Sequence, residues 1–352
     1  MGALLLKTEP RLTSLSHGGG CGCKIAPGLL AELLKGTAAL PVPPELLVGI
    51  ETSDDAAVYR LSDELALIAT TDFFMPIVDD PRDFGRIAAT NAISDIYAMG
   101  GRPIMALALV GMPINVLSAQ TIGLILQGGA EAAHAAGIPI AGGHSIDSAE
   151  VIYGLVVIGI AHPDHIRRNS QAKAGDVLVL GKPLGVGVLS AAFKREALDQ
   201  AGYAALIAST TQLNTPGTEL AQVAGVHAMT DVTGFGLAGH ALEMARGSDC
   251  GIAIDWAAVP FLTGARDLAD RGFVTGASGR NWDGFGRDVV LPGPFTENDK
   301  ALLCDPQTSG GLLVSCAPGA LEAVLACFSG HGFDQARVIG VVEQGAPLVR
   351  LW

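Results

Sequence analysis

The sequence predicts a layered α/β protein of two domains, and three features carry that prediction. The chain has 352 residues, enough for two domains of ordinary size. Hydrophobic residues make up 49% of it and charged residues 16%, so most of the chain is expected to pack into core. From Glu51 onward, short apolar runs alternate with longer amphipathic segments, the strand–helix alternation of a layered α/β fold.

In chain order, residues 1–50 read as an entry segment holding a glycine-rich loop, a short helix near Pro27–Leu34 and a proline-rich connector at Pro41, Pro43 and Pro44. Leu65–Thr71 reads as a buried strand, Phe84–Met99 as a helix and Pro103–Val110 as a second strand. Ser118–Ala136 follows as a long helix, Ile138–Ala141 as a short strand and Val151–Ala161 as another strand. The polar stretch His162–Asp176 reads as a domain boundary, placing domains at 51–163 and 164–352. Val177–Leu180 opens the second domain, helices are expected near Val186–Phe193 and Gly217–Ala224, and a strand leads into Thr230-Asp231. Gly276–Gly286 is glycine-rich and reads as an irregular loop.

Composition excludes several functions. A net charge of −13 disfavours binding nucleic acid by neutralising its backbone. A polyphosphate is compatible with such a chain only where metal cations stand between carboxylates and phosphates. Six cysteines, without scaffold spacing, suit a reducing cytoplasm. No secretory signal is visible, and no apolar run is long enough to span a bilayer.

The chemistry-bearing residues fall into islands. His17-Gly18-Gly19-Gly20-Cys21-Gly22-Cys23-Lys24 sets two cysteines and a lysine among glycines. It reads as a mobile loop whose thiol is activated by a neighbouring cation; a plain flexible tail is the alternative. In Ser53-Asp54-Asp55, adjacent carboxylates are expected to serve different purposes. Asp72 stands at a strand end, where ligands of α/β sheets gather, or else caps a turn. Asn91 and Asp95 share a helix face, either solvated or turned toward a site. Gly142-Gly143 read as a turn or as an anion-facing backbone ahead of His144 and Ser145. Asp231 closes a strand before a glycine turn and a helix, a geometry suited to phosphate or metal. There is no G-x-x-x-x-G-K-[ST] loop, and Gly185-x-Gly187 lacks the third glycine of a dinucleotide site.

Together the islands resemble the selenophosphate synthetase (selenide, water dikinase) family of the aminoimidazole ribonucleotide synthetase-like superfamily. The motifs are HGGGCGCK at 17–24, SDDAAVY at 53–59, TTDFFMPIVDDP at 70–81, GRIAATNAISDIYAMGG at 85–101, AGGHSID at 141–147, MTDVTGFGLAGH at 229–240 and CDPQTSGGLL at 304–313. The resemblance implies two α/β domains per chain and a homodimer that builds a shared β-barrel. It implies conversion of selenide, ATP and water to selenophosphate, AMP and orthophosphate. By the family's pattern Cys21 is the catalytic cysteine and Lys24 the essential lysine. Asp55, Asp95 and Asp231 match magnesium ligands. Lys24, Thr52, Ser53, Asp54, Asp72, Asp95, Gly143, His144 and Ser145 match nucleotide contacts. A transient Cys21–S–Se⁻ species is expected. A potassium ion and a selenium-delivery protein remain open, and the expected location is the cytoplasm. The rival readings are another ATP-dependent enzyme of the superfamily, and a non-catalytic selenium or metal carrier built on Cys21 and Cys23.

Overall fold

The computed structural model describes residues 9–25, Leu33, 42–49 and 54–352. Thr52, Ser53 and nearly all of the expected helix near Pro27–Leu34 lie outside the described residues.

The first half is a six-stranded sheet of β1 (Leu46–Val48), β2 (Ala57–Arg60), β3 (Ala66–Phe74), β4 (Arg102–Met112), β5 (Ile140–Asp147) and β6 (Ile152–Ala161). Its order is β1-β2-β3-β6-β4-β5, with β5 parallel to β4 and the remaining pairs antiparallel. Alternation fixes its two faces. Ala66, Ile68 and Phe74 of β3 are buried toward the helices, whereas Thr71 and Phe73 point to the open side. Helices α1 (Pro81–Ala98) and α2 (Ala119–Ala135) cover the closed face. Asp80 caps α1 by accepting from the Asp83 N–H, with Pro81 in the first turn, and Ser118 caps α2 through the Thr121 N–H.

The two helices pack unusually close. A Cβ on Gly85 would stand 1.9 Å from the Ile125 carbonyl oxygen, and one on Gly128 would stand 2.0 Å from that of Arg82. Backbone therefore meets backbone, which presses α1 against the sheet.

The second half holds a seven-stranded sheet: β7 (Val177–Leu180), β8 (Val226–Asp231), β9 (Gly251–Ile254), β10 (Val289–Val290), β11 (Leu312–Cys316), β12 (Arg337–Glu343) and β13 (Val349–Leu351). The order is β10-β13-β9-β12-β7-β11-β8, so β8 is an edge strand. Its helices are α3 (Val186–Lys194), α4 (Gln200–Thr210), α5 (Pro216–Leu220), α6 (Gly236–Gly247), α7 (Ala265–Asp270), α8 (Gly276–Phe285), α9 (Glu297–Leu303) and α10 (Leu321–Gly330). One apolar cluster runs from Phe84 and Ile87 of α1 to Val188 and Leu189 of α3, so the two halves share core.

Four expectations need correction. Strand β3 continues through Phe74, so Asp72 lies within a ladder opposite Leu155 and caps no turn. Residues 142–147 belong to strand β5, and Gly142-Gly143 make no anion-facing turn. A Cβ at Gly143 would lie 2.1 Å from the Ala108 carbonyl, so the glycine serves close strand pairing. Helix α5 stops at Leu220, short of the expected Ala224. The glycine-rich stretch from Gly276 is a helix, capped by Thr275 and anchored by Asn281, whose Nδ2 donates to the Gly234 and Cys304 carbonyls.

Gly85→Ala is expected to lower stability by about 1–3 kcal/mol through overpacking at this crossing. A urea melt showing an unchanged midpoint would contradict that account of the helix pair.

Candidate active site

Three aspartates from three elements converge. Asp55 precedes β2, Asp95 lies on α1 and Asp231 ends β8. The Thr230 hydroxyl donates to Asp55 Oδ1 at 2.9 Å, Thr70 to Asp95 Oδ2 at 2.5 Å and Ser94 to Asp231 Oδ2 at 2.5 Å. Asn214 in turn donates to the Ser94 hydroxyl at 2.7 Å. Asp55 Oδ2 is buried and has no hydrogen-bond partner among the described residues. Burial raises all three carboxyl pKa values. The Asp231 charge adds to the rise at both Asp55 and Asp95. Carboxylates so crowded ionise together only with added positive charge. An orphaned carboxylate oxygen in an all-oxygen donor set fits a hard divalent cation such as magnesium.

The cysteine loop docks beside them. Gly20–Cys23 form a single 3₁₀ turn. The Gly20 N–H donates to the Met75 carbonyl at 2.8 Å, and the Cys21 N–H donates to the Thr308 hydroxyl at 3.2 Å. The Cys21 thiol donates to Asn91 Oδ1 at 3.1 Å, and Asn91 Nδ2 donates to Asp72 Oδ2 at 2.5 Å. Lys24 Nζ stands 3.8 Å from that same Asp72 oxygen, its side chain 41% exposed. Asp72, then Cys21, Asp95 and Asp231, hold Lys24 firmly protonated against its partial burial. The chain thus joins thiol, amide, carboxylate and ammonium.

This arrangement corrects the reading of a mobile, activated thiol. Cys21 is 1% exposed, and burial followed by the Asp72 charge pushes its pKa well up, outweighing Lys24. With the loop docked, Cys21 is a protected thiol. Cys23 is half-buried, its pKa raised by burial, and its Sγ lies 2.9 Å from the Gly20 carbonyl oxygen.

The remaining expected contacts divide. Asp72 lies in the chain just described. Asp54 turns elsewhere and accepts from the Asn169 N–H at 2.7 Å, so the adjacent carboxylates do have different partners. Gly143, His144 and Ser145 lie on the exposed edge strand β5. The row Asp72–Leu155–Ala108–Gly143 crosses three strand spacings, about 14 Å. His144 falls in the next row, with Leu109, Gly154 and Phe73, on the open face. Within one chain these three residues are not brought to the aspartates.

Sequence reasoning missed Lys182, which is 2% exposed. Its Nζ donates to the carbonyls of Gln212 at 2.6 Å, Ser309 at 2.8 Å and Ser209 at 3.2 Å. Burial lowers its pKa to about 7. Three carbonyl acceptors nonetheless match the three donors of an ammonium. Ser309 has φ +51°, a left-handed conformation uncommon in non-glycine residues, and its N–H donates to Asn91 Oδ1 at 2.7 Å. Lys182 therefore holds the carbonyl of the same residue, Ser309, whose N–H orients the acceptor of the Cys21 thiol. The only sequence signal is a lysine between an apolar strand and Pro183-Leu184.

Comparison with known proteins follows the same outline. The AIR synthase related protein N-terminal domain matches residues 53–161, and the corresponding C-terminal domain matches 173–351. The chain is 64% identical to the selenide, water dikinase of Paraburkholderia xenovorans (strain LB400), over 98% of this chain and 97% of the relative. Identity to the selenide, water dikinase of Dechloromonas aromatica (strain RCB) is 60%, over 96% and 97%. The chain belongs to the selenide, water dikinase family. Solved structures place that family's chain within a broader fold. Thiamine-monophosphate kinase from Stenotrophomonas maltophilia K279a superposes with a TM-score of 0.65 at 20% identity, covering 92% of this chain and 94% of that one. Hydrogenase maturation protein HypE in complex with ATP gives 0.61 at 20% identity, covering 88% and 86%.

Lys182→Met, which leaves three carbonyls without their donor, is expected to cost about 2–5 kcal/mol. It should also speed alkylation of Cys21 by iodoacetamide relative to the parent chain. An unchanged Cys21 reaction rate in folded protein would break the proposed link through Ser309 and Asn91.

Proposed function

We propose that this chain performs its family's reaction, converting selenide, ATP and water to selenophosphate, AMP and orthophosphate, at the chamber between α1, β8 and the cysteine loop. The observation that carries this reading is the joining of Cys21, Asn91, Asp72 and Lys24 beside half-buried Asp95 and buried Asp231, the carboxylates whose charges act on Asp55. A non-catalytic carrier has no use for those carboxylates. A ribonucleotide or thiamine phosphate kinase has no use for a docked cysteine.

Asp55, Asp95 and Asp231 are the residues that would hold magnesium. When bound, it would offset the charge of the triphosphate against an acidic chamber. Lys24 is positioned to hold an anion, either selenide or a phosphate in transfer, while Asp72 fixes its side chain. Asp54 and Asp72, with Thr52, Ser53, Lys24 and Asp95, are proposed nucleotide contacts, as are Gly143, His144 and Ser145. Docking of the loop over the chamber excludes water, which favours transfer to selenium over hydrolysis at that step.

The role of Cys21 is refined by electron balance. Forming Cys21–S–Se⁻ from a thiol and selenide would remove two electrons, and the reaction supplies no oxidant. Cys21 is therefore assigned a non-covalent role, retaining selenide beside Lys24 when the loop docks. Cys21→Ser is expected to abolish selenophosphate formation, followed by phosphorus NMR under anaerobic conditions, with ATP affinity within about twofold of the parent. A fully active serine variant would remove the thiol from the mechanism.

Asp95→Asn and Asp231→Asn are each expected to weaken magnesium-dependent ATP binding by at least about tenfold, equivalent to about 1.4 kcal/mol. Equal affinities in titration calorimetry with and without the carboxylates would refute the metal assignment.

A homodimer is proposed on the open face of the first sheet. There Phe73 and Ile146 are exposed, 50% and 56%, next to the edge strand β5. The domain division is placed between residues 163 and 164. No helix among the described residues is long and apolar enough to cross a membrane, and a cytoplasmic location is proposed. Potassium has no support among the described residues, and a selenium-delivery protein is left unassigned.

A further inference from the structure

The cysteine loop has two sides. Its inner side faces the aspartates, and its outer side walls a cavity of about 310 Å³ between the loop, the end of α3 and the start of α8. Gly18, Gly19 and Gly22 form one wall, and Lys194, Arg195 and Arg280 contribute its long cationic side chains. Among the described residues no aspartate or glutamate lines it. That is unusual in a chain with 35 acidic and 22 basic residues.

None of the three cations has a carboxylate partner among the described residues. Lys194 Nζ reaches the Ser16 carbonyl at 3.4 Å, Arg195 Nη1 the Gly272 carbonyl at 3.0 Å and Arg280 Nη2 the Gly22 carbonyl at 3.0 Å. Glu150 and Asp79, which stand behind the lining residues His17 and Thr13, are bonded to those residues and to Arg11 instead. Arg280 also lines the small cleft that contains Cys21 and Lys24, so one guanidinium borders both spaces. Gly22 and Ala277 are the other residues common to the two.

A protein of net charge −13 repels a small anion over most of its surface. A concave, low-dielectric wall carrying one sign of charge reverses that locally and concentrates the anion. The geometry points to this cavity as the entry port for anionic selenide: Lys194, Arg195 and Arg280 draw the ion to the outer side of the loop, and Arg280 passes it toward Cys21 and Lys24. The port rests on the selenide reading above. ATP, which needs the acidic chamber on the inner side, does not use it.

The test measures selenophosphate formation against selenide and against ATP, across a range of ionic strength. The parent chain, Arg195→Gln, Arg280→Lys and the triple Lys194→Gln/Arg195→Gln/Arg280→Gln variant are compared. In the parent, kcat/KM for selenide should fall steeply as salt rises. The triple variant should raise KM for selenide by about tenfold and flatten the salt dependence, with KM for ATP unchanged. Arg195 makes no bond to the loop, so Arg195→Gln isolates the loss of charge and should give a smaller rise of the same kind. Arg280→Lys keeps the charge and should stay near the parent. An unchanged KM for selenide in the triple variant, or equal rises in KM for selenide and ATP, would overturn the port. Should the triple variant fail to fold, a parent kcat/KM for selenide indifferent to salt would overturn it equally. A parent chain that forms no selenophosphate at all would instead refute the functional reading.

Discussion

The structure is organised around the problem of placing carboxylates next to one another out of water. Asp55, Asp95 and Asp231 come from a loop, a helix and a strand end, and Asp72 joins them from the adjacent ladder. Each is held by a hydroxyl or amide from a neighbouring element: Thr230, Thr70, Ser94 or Asn91. A buried carboxylate is tolerated when its lone pairs are met by donors or cations. Here the hydrogen-bond donors are neutral, and among the described residues the ion pair within the group is that of Lys24 with Asp72. The site is consequently short of positive charge, a condition that divalent cations would relieve when bound.

The same shortage explains the chemistry of the loop. Lys24 alone would favour a Cys21 thiolate, but Asp72 lies between them in charge and in bonding, and the site is closed. Burial and Asp72 together outweigh the ammonium. The thiol is thus tuned by how firmly the loop sits, because lifting it removes the largest contribution, desolvation, and leaves Lys24 three peptide units away.

The fold was legible where periodicity was strong. Helices α1 and α2 and strands β3, β4 and β6 were expected within three residues at each end, because each buries one regular face. Glycine misled at two places. Gly142-Gly143 looked like a turn, yet both lie in a strand, and at Gly143 the neighbouring strand leaves no room for a side chain. The stretch from Gly276 looked irregular, yet a threonine cap and a buried asparagine hold a helix there. The aspartates were legible as polar islands in apolar surroundings. Lys182 and Ser309 were not, because their importance lies in carbonyl geometry and a positive φ, which residue identity does not display. The burial of Cys21 was equally hidden, since it depends on Thr308 and Asn91 arriving from remote segments.

Helix α1 lies under the first sheet, against α2 and across β8 of the second sheet, with Asn91, Ser94 and Asp95 on its inward side. Thirteen of its residues are buried. Parting the two halves of the molecule would strip this one helix of packing and tear Ser94 from Asp231 in the same movement. Interdomain rocking, the common way for a two-domain enzyme to admit its substrates, is for that reason costly here. The short arm that bears Cys21 is tied into the same core at Cys21 and is otherwise held by single hydrogen bonds to Met75, Thr308 and Asn91.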